Sequence, residues 1–466
     1  MAFSGSTAVS HLPFHLVTLT HADWDSARAC ARRLGDDALP ELRLDLFPDE
    51  DPEAMVDELK RRCLVTCRRV SEGGRWPDED ESGRLARLFK AIRGRPAWMD
   101  LEWELPIPPE IQAARTHVRL LRSVHVAPGV FDLEERLRDL PDGDAYKWVG
   151  WAGRLGDSGR LRAPLAWARD HGLVLAAFLM GPKGLPSRAL QAAWGGAFTF
   201  AAPDDGPPAA PGQLPLSLLR EWRCARLHPG YGLCGVIGEP VLHSRGPAFH
   251  NPRFQRALKD LLYLPLPCGE AGEAVEALEA LGLLGLSITA PLKLTLPAAL
   301  GLEGPLNTLW RRAPGEPWQG ANTDAEAFGK ALSQLAPGPV LVLGSGGVAR
   351  TSTALLEAAG RPVLQVSRQA PATAGQVAAF GPVGLVQATS LGMSPEDPAP
   401  FPEFLEAARA TCRWAVEWIY KEDTSFALWA REAGLQVVAG AALFEAQAVA
   451  QTRRFITDCG GLPAEL

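Results

Sequence analysis

Short apolar runs alternate with amphipathic segments throughout the first half of the chain. Segments 51–62 and 82–93 carry apolar residues three and four positions apart, which is typical of a helix with one buried face. The apolar runs around them predict β-strands at 14–20, 41–47, 63–68, 97–105, 117–125, 146–152, 172–180 and 197–202. Eight strand–helix units within about 220 residues fit a (β/α)8 barrel, and a doubly wound open sheet is the alternative that periodicity leaves open.

Polar side chains recur where these strands end, which is where a barrel of this kind carries its chemistry. Glu41, Arg43 and Asp45 occupy alternate positions of the second strand, so they are predicted to face the same way. Each such residue alone has a structural explanation, as a solvated end, a packing residue or an ion pair. Their convergence on one face favours a site. The others at or after strand ends are Arg68, Glu72, Ser123, His125, Lys147, Arg188 and Gln213.

Lys147 stands out because the run around it, 146–152, is otherwise apolar. Apolar surroundings disfavour the charged amine and lower its pKa, and a neutral amine can condense with a ketone to an iminium. The iminium acidifies the neighbouring C–H bond. His125, with an ordinary pKa near ~6.5, is suited to removing that proton.

The order of the motifs ExRxD, TxR, EGG, SxH, DxxK, SR and APGQ resembles type I 3-dehydroquinate dehydratase over about residues 10–222. The resemblance implies a Schiff base at Lys147 and an acid/base role for His125, which Glu72 would orient. Ala209 replaces a serine that is usual in the family, which removes one hydrogen bond to substrate. The substrate-binding residues implied by the resemblance are Glu41, Arg43, Arg68, Arg188 and Gln213.

A new strand pattern begins at Tyr231, after a Pro/Gly-rich stretch at 203–216, and places a domain boundary at about 226. Further on, the segment 340–360 runs from an apolar strand through a glycine turn into an amphipathic helix. Such a turn brings the backbone and a helix N-terminus close to a pyrophosphate, although a tight turn without ligand is the structural alternative. Ser367 and Arg368 follow the next strand, where an acid would favour NAD. The arginine predicts NADP.

The motifs HSxxPxxHN, GxSxTxPxK, GxNTD, GxGGxA and ATSxGM together resemble shikimate dehydrogenase across about residues 231–466. The resemblance implies that Lys293 and Asp324 form the catalytic pair, with Lys293 protonating the oxygen of 3-dehydroshikimate as NADPH delivers hydride. The implied substrate-binding residues are Ser244, Thr289, Asn307, Tyr420 and Gln447. The implied cofactor-binding residues are Gly344, Gly346, Gly347, Ala349, Ser367, Arg368, Gly392 and Met393.

Two resemblances in series imply an α/β chain with three domains. They are a barrel at 10–225, a substrate-binding domain at 226–325 and a Rossmann domain at 326–440. A C-terminal helix at 441–466 would return to the substrate-binding domain. The activities implied are dehydration of 3-dehydroquinate followed by reduction of 3-dehydroshikimate to shikimate.

Gly246 departs from the dehydrogenase pattern because it replaces a serine that would bind the substrate carboxylate. Ser287 also replaces the more usual asparagine, as in plant members of the family. The missing side chain predicts open space beside C1, where quinate carries an extra hydroxyl. Quinate or 3-dehydroquinate is therefore an alternative substrate of the second half. A non-catalytic regulator is a further alternative, which the retained pairs Lys147 with His125 and Lys293 with Asp324 disfavour.

Composition excludes several other classes. The 466 residues are 47% hydrophobic and 22% charged with a net charge of −7, which is globular and offers no basic field for nucleic acid or anionic lipid. The eight cysteines lack zinc-ligand spacing, so no metal is expected. With no secretory signal or apolar span in view, we expect a cytoplasmic enzyme of small molecules, with its oligomeric state open.

Overall fold

The computed structural model describes residues 12–392, 397, 400–421 and 424–459. Their strands form an eight-stranded sheet followed by two five-stranded sheets. Within the described residues, no helix combines the length and apolarity that a bilayer crossing requires. All eight cysteines are buried and unbridged.

The first sheet is a parallel barrel, so the open-sheet alternative is wrong. Its strands are adjacent in the order β7-β6-β5-β4-β3-β2-β1-β8, and the Ala197 amide donates to the Leu175 carbonyl (2.8 Å) where the two ends of this order meet. Its strands are β1 His15–Thr18, β2 Ala38–Arg43, β3 Leu64–Thr66, β4 Trp98–Glu102, β5 Arg119–His125, β6 Ala145–Trp151, β7 Leu175–Met180 and β8 Thr199–Ala201.

Helices cover the outside of the barrel. Asp23, Asp51 and Asp80 begin the first three, because each side chain accepts hydrogen bonds from the free amides of the first turn. The helices are α1 Trp24–Arg33, α2 Pro52–Glu58, α3 Glu81–Arg93, α4 Pro109–Ala114, α5 Leu133–Arg136, α6 Arg162–Asp170, α7 Leu185–Ala189, α8 Gln191–Trp194 and α9 Leu216–Glu221.

Strand alternation explains why the barrel is apolar at one end and polar at the other. Leu39 of β2 and Leu121 of β5 belong to the buried apolar cluster of the interior. Residues two positions further along a strand share its face, so Glu41 and Ser123 follow inward, and His125 ends β5. The polar inward positions therefore collect at the carboxyl ends of the strands.

The second sheet has the order β10-β9-β11-β12-β13, with β9 to β11 parallel and the last two strands antiparallel. Its elements are β9 Gly232–Gly238, α10 Gly246–Arg256, β10 Leu261–Pro267, α11 Ala271–Ala280, β11 Leu283–Ile288, α12 Leu292–Ala299, β12 Thr308–Trp310, β13 Gln319–Ala321 and α13 Thr323–Leu332.

The third sheet is parallel, in the order β15-β14-β16-β17-β18. Strand order reverses around β14, and the crevice beyond the carboxyl ends of such strands is where open α/β sheets bind ligands. Its elements are β14 Val340–Leu343, α14 Gly347–Ala358, β15 Val363–Val366, α15 Ala374–Phe380, β16 Gly384–Gln387, α16 Pro402–Ala408, β17 Trp414–Glu417, α17 Ser425–Glu432, β18 Gln436–Val438 and α18 Gly440–Asp458.

Helix α18 returns to the second sheet. Its Thr452 hydroxyl lies 2.9 Å from Nδ1 of His250 on α10, and its Phe455 ring contacts Phe254 edge-on. The barrel and the second sheet also share one apolar cluster, to which Leu155 and Leu278 both belong. The second sheet is thus joined to the barrel and to helix α18 by packed contacts as well as by the chain.

One local prediction is wrong. Asp45 was expected to alternate with Glu41 and Arg43 along a strand, but β2 ends at Arg43 and Leu44–Leu46 form a 3-10 turn. The turn brings the Asp45 carboxylate back onto the Arg43 guanidinium, with which it makes hydrogen bonds of 2.8 and 2.6 Å. The ion pair, rather than strand alternation, decides where this side chain lies.

Candidate active sites

A cavity of about 480 Å³ opens at the carboxyl ends of the barrel strands. Phe178, Phe200 and Met180 supply apolar walls, and Ala209 lies at its rim loop. The polar lining contains every catalytic and substrate-binding residue that the first resemblance implies. These residues are Glu41, Arg43, Arg68, Glu72, His125, Lys147, Arg188 and Gln213.

Lys147 projects from the middle of β6, where it is 6% exposed and pairs in register with Ser123 of β5. Its Nζ lies 4.1 Å from the centre of the Phe200 ring. Burial, reinforced by the positive charge of Arg68, lowers the pKa of Lys147 to about 8. A neutral amine is therefore available in the cavity near physiological pH.

His125 ends β5 and lines the same cavity. Burial, with the positive charges of Arg68 and Lys147, holds the pKa of His125 well below its ordinary value, so the imidazole is neutral. Its Nδ1 has no hydrogen-bond partner among the described residues. The expected orienting contact from Glu72 is not formed, because the Glu72 carboxylate accepts a hydrogen bond from Arg68 Nη1 (2.9 Å) instead.

Arg68 is the centre of a buried ion-pair network. Its guanidinium donates to Asp100 (2.6 Å) and Ser123 (3.1 Å) as well as to Glu72. Burial alone would lower the pKa of Arg68, but the charges of Asp100 and Glu72 raise it well above its usual range. The sequence interpretation missed Asp100, although the alternation of Trp98, Asp100 and Glu102 along β4 is a signal that would have found it.

Gln213 connects the rim loop to the barrel strands. Its Nε2 donates to the Thr18 hydroxyl (3.3 Å), which in turn donates to Glu41 (2.6 Å). Its Oε1 accepts a hydrogen bond from the Ala209 amide (2.7 Å). Ala209 thus holds Gln213 through its backbone, a contact that does not need the missing serine side chain.

Arg188 is a buried cation with unsatisfied donors. It lies on α7, is 2% exposed, and its Nε and Nη2 have no hydrogen-bond partner in the described part of the chain. Burial lowers the pKa of Arg188 to about 10, which leaves it charged at neutral pH. A buried, incompletely paired guanidinium at a cavity wall is suited to a carboxylate from outside the chain.

A second polar site lies between the second and third sheets. Nζ of Lys293, near the start of α12, donates to Oδ2 of Asp324 in the first turn of α13 (2.6 Å). Burial by itself would lower the pKa of Lys293, but the charge and hydrogen bond of Asp324 outweigh it and raise that pKa. The lysine is therefore protonated and able to donate.

Three of the predicted substrate ligands surround this ion pair. Oδ1 of Asn307 accepts from the Thr323 amide (2.7 Å), which precedes Asp324, and Oε1 of Gln447 accepts from the Thr323 hydroxyl (3.3 Å). Tyr420 is 49% exposed, and its phenol lies within electrostatic reach of Lys293. These residues join α13, α18 and the end of β17 at one place.

Ser244 and Thr289 lie at the loops that follow β9 and β11. The Ser244 hydroxyl accepts from the Gly246 amide (3.1 Å), and the Thr289 amide donates to the Ile237 carbonyl (2.9 Å). Both side chains are partly exposed. They are thus available to a ligand, although no described contact joins them directly to Lys293 or Asp324.

The expected open space beside Gly246 is not there. A Cβ at position 246 would lie 2.7 Å from Cε1 of Tyr263 and 3.3 Å from its hydroxyl, so this ring fills the volume. The Tyr263 hydroxyl interacts with Ser287, whose own hydroxyl donates to Gln451 of α18 (2.9 Å). The sequence interpretation missed Tyr263 because its proximity to Gly246 arises only when α10 packs on β10.

The glycine turn after β14 faces the same ion pair. Gly344 has a φ of +123°, and a Cβ there would lie 2.7 Å from the Ala388 carbonyl oxygen. Gly346 has open space at its Cβ position, and that of Gly347 lies 3.7 Å from Cδ of Lys293. Because α14 begins here without a side-chain cap and Ala349 packs beneath it, the free amides fit a dinucleotide pyrophosphate.

The remaining predicted cofactor residues flank this turn. The Ser367 hydroxyl accepts from the amides of Gln369 and Ala370, which fixes the loop after β15, and Arg368 in that loop is exposed. Gly392 adopts a φ of +87° close to the Ser425 hydroxyl. The prediction for Met393 lies outside the described residues.

His21, Cys30 and Asp205 bring potential metal-ligand atoms within 4.8 Å of one another. Asp205 already accepts from His21 (3.1 Å) and from Arg33. Burial, with the negative charge of Asp205, raises the pKa of the Cys30 thiol to about 11. These contacts explain the cluster without an ion.

Comparisons with known families divide the chain into two regions, and each region contains residues of one of the candidate sites. Residues 15–223 match the family model of type I 3-dehydroquinase, and residues 236–302 match that of the shikimate dehydrogenase substrate binding domain. The barrel cavity lies in the first of these regions. Lys293 lies in the second.

Solved structures of the same two kinds are similar to the chain. The dehydroquinate dehydratase and shikimate dehydrogenase of S. pombe AroM is 19% identical, with 97% of this chain and 96% of that chain covered and a TM-score of 0.39. The shikimate dehydrogenase of Aquifex aeolicus is 25% identical over 50% of this chain and 94% of its own, with a TM-score of 0.42. That of Mycobacterium tuberculosis is 27% identical over 50% and 95%, with a TM-score of 0.38.

Proposed function

We propose that the chain is a bifunctional shikimate-pathway enzyme, in which a type I 3-dehydroquinase is joined to a shikimate dehydrogenase. The first is a lyase and the second an oxidoreductase. In this proposal the barrel, residues 10–225, converts 3-dehydroquinate to 3-dehydroshikimate. The domains at 226–325 and 326–440, with the helix from 441, then reduce that product to shikimate in the cytoplasm.

The dehydration begins at Lys147. Its neutral amine adds to the C3 ketone of 3-dehydroquinate and expels water, which leaves an iminium. The iminium draws electrons from C2 as His125 removes the C2 proton, and the same imidazole returns a proton to the departing C1 hydroxyl. Hydrolysis of the iminium then releases 3-dehydroshikimate and restores the amine. The observation that carries this proposal is a buried lysine with a pKa of about 8 in one cavity with a neutral histidine.

The neighbouring charges hold the substrate for this sequence. Arg188 binds the substrate carboxylate, since its buried guanidinium has donors to spare. Glu41, Arg43 and Gln213 bind the ring hydroxyls, and each is already fixed by a neighbour in the chain. Glu72 acts through Arg68, whose positive charge helps to lower the pKa of both Lys147 and His125.

The reduction takes place at the Lys293–Asp324 pair. Lys293 donates its proton to the C3 oxygen of 3-dehydroshikimate, and Asp324 keeps the lysine protonated until then. Asn307, Gln447 and Tyr420 orient the ring next to this pair. A nicotinamide cofactor supplies the hydride when bound.

We infer NADP as the cofactor. The pyrophosphate would lie on the turn formed by Gly344, Gly346 and Gly347, next to Lys293. An exposed arginine, Arg368, stands at the end of the neighbouring strand, where a 2′-phosphate would meet it. Gly392 is the described residue that we assign to the nicotinamide end of the proposed site.

Shikimate, rather than quinate, is the proposed product of the second half. Quinate needs room for an extra hydroxyl at C1, and the Tyr263 ring occupies the space beside Gly246. A kcat/KM for quinate equal to that for shikimate would contradict this assignment.

A single assay tests both activities on the full chain. Purified protein given 3-dehydroquinate alone should produce the ultraviolet absorbance of a conjugated enone. Addition of NADPH should then remove that absorbance and oxidise one cofactor per enone, and NADH should be used at a lower kcat/KM. Lys293→Met provides the matched control, because it should keep the enone-forming step and abolish the reduction. Absence of enone from the unaltered chain would refute the first half.

A further inference from the structure

The dehydrogenase half supplies a carboxylate to the mouth of the barrel. Glu273 of α11 is 9% exposed, and its Oε1 accepts hydrogen bonds from the Leu155 amide and from Lys183 Nζ, both at 2.8 Å. Its Oε2 accepts a further bond from Lys183 (2.8 Å). Burial by itself would raise the pKa of Glu273, but Lys183 and the Leu155 amide lower it, so the carboxylate is charged.

Leu155 and Lys183, the two partners of Glu273, lie in loops that follow strands lining the dehydratase cavity. Leu155 opens a 3-10 segment, Leu155–Leu161, after β6, the strand of Lys147. Lys183 lies in the 3-10 turn Pro182–Gly184 after β7, immediately before α7 with Arg188. The last residues of these two strands, Trp151 and Met180, line the dehydratase cavity.

Hydrogen bonds connect the Lys183 turn to the substrate-binding side chains. The Ser187 hydroxyl donates to the Gly184 carbonyl (2.6 Å) and accepts from the Leu179 amide (2.9 Å), which fixes α7 against β7 next to Arg188. The Gly181 amide donates to the Pro211 carbonyl (3.0 Å), two residues before Gln213. A displacement of Lys183 would therefore move the elements that carry Arg188 and Gln213.

Apolar packing also holds the two halves together, apart from this carboxylate. Ala274, Ala277 and Leu278 of α11 belong to the same apolar cluster as Leu155 and Leu161 of the barrel. Gly159 packs so closely that a Cβ there would lie 2.3 Å from the Ala280 carbonyl oxygen. Since apolar packing holds the interface and a buried carboxylate costs desolvation, adhesion alone leaves the ion pair unexplained.

We propose that Glu273 is a positioning residue of the dehydratase, held on the dehydrogenase half of the chain. It fixes the loops after β6 and β7 so that Arg188 meets the substrate carboxylate. This inference rests on the function proposed for Arg188. It makes the binding of 3-dehydroquinate depend on a residue of the other enzyme.

The test compares Glu273→Gln, Lys183→Met and the double variant in the full chain. The matched control is Glu276→Gln on the same helix, since Glu276 pairs with Arg154 (2.7 Å) across the same junction but both side chains are more than half exposed (65% and 54%). Each single variant should raise the dehydratase KM about tenfold and leave kcat within about twofold. The double variant should be no worse than either single one. Dehydrogenase constants with 3-dehydroshikimate and NADPH should not change.

Several results would overturn the inference. An unchanged dehydratase KM in both single variants would do so, and so would an equal loss of both activities or the same loss in Glu276→Gln. Borohydride labelling of Lys147 in the unaltered chain distinguishes a failure of the Glu273 inference from a failure of the proposed function. Labelled Lys147 with unchanged KM values would refute only the role of Glu273, whereas unlabelled Lys147 would refute the function on which it rests.

Discussion

Replacement of Lys147 by methionine should abolish dehydration and stabilise the barrel. The folded chain holds this amine at a pKa of about 8 instead of its ordinary 10.5, because it is buried beside Arg68. At pH 7 Lys147 is protonated at no cost in the unfolded chain, whereas the folded chain has to bury the charged amine. The difference between the two pKa values corresponds to about 3 kcal/mol. Lys147→Met, similar in volume but uncharged, should raise the free energy of unfolding by about that amount.

The stabilisation expected for Lys147→Met should depend on pH. A lysine whose pKa is lowered by folding costs stability in full below the folded value, and the cost disappears as pH rises towards the unfolded value. The advantage of Lys147→Met should therefore be about 3 kcal/mol at pH 7 and fall below about 1 kcal/mol at pH 10.

The difference in the free energy of unfolding can be measured by urea unfolding of the full chain. Pulsed hydrogen exchange, followed on peptides from the barrel, reports the unfolding of that domain. Lys60→Met, at an exposed lysine of the barrel, is the matched control and should change stability little at either pH. Equal stability of Lys147→Met and the unaltered chain at pH 7 would refute the reasoning. An advantage that stays constant up to pH 10 would refute it too.

Three further predictions concern activity. The dehydratase kcat/KM should rise with pH through about 8 as free Lys147 loses its proton, and a flat profile from pH 6 to 9 would contradict this. Arg188→Met should raise the KM for 3-dehydroquinate about a hundredfold, and Arg188→Lys should recover only part, because lysine cannot donate the parallel pair of hydrogen bonds. Asp324→Asn should move the alkaline limb of the dehydrogenase profile to lower pH, since Asp324 raises the pKa of Lys293; an unmoved limb would argue against their coupling.

The sequence was sufficient for most of the barrel and its cavity because strand alternation is a local property. Leu39 and Glu41 of β2, like Ser123 and His125 of β5, lie two positions apart, so their common face follows from the pattern alone. The glycine turn and Lys293 were likewise readable as motifs. Their proximity, at 3.7 Å from the Gly347 Cβ position to Lys293 Cδ, required the fold.

The contacts that sequence could not predict are set by packing between distant segments. Glu72 was assigned to His125, but Arg68, held by Asp100 from another strand, lies in reach of its carboxylate instead. The space beside Gly246 is filled by the ring of Tyr263, which lies on the next strand, β10. Lys183 and Glu273 are separated by 90 positions and lie in regions that match two different family models, so neither match spans the pair.

Borohydride reduction in the presence of 3-dehydroquinate tests the central claim most directly. A covalent adduct should appear on the peptide that contains Lys147, detected by mass spectrometry, and should be absent from Lys147→Met. Dehydratase activity should be lost in proportion to labelling while dehydrogenase activity remains. An unmodified Lys147, or an adduct confined to another lysine, would contradict the account.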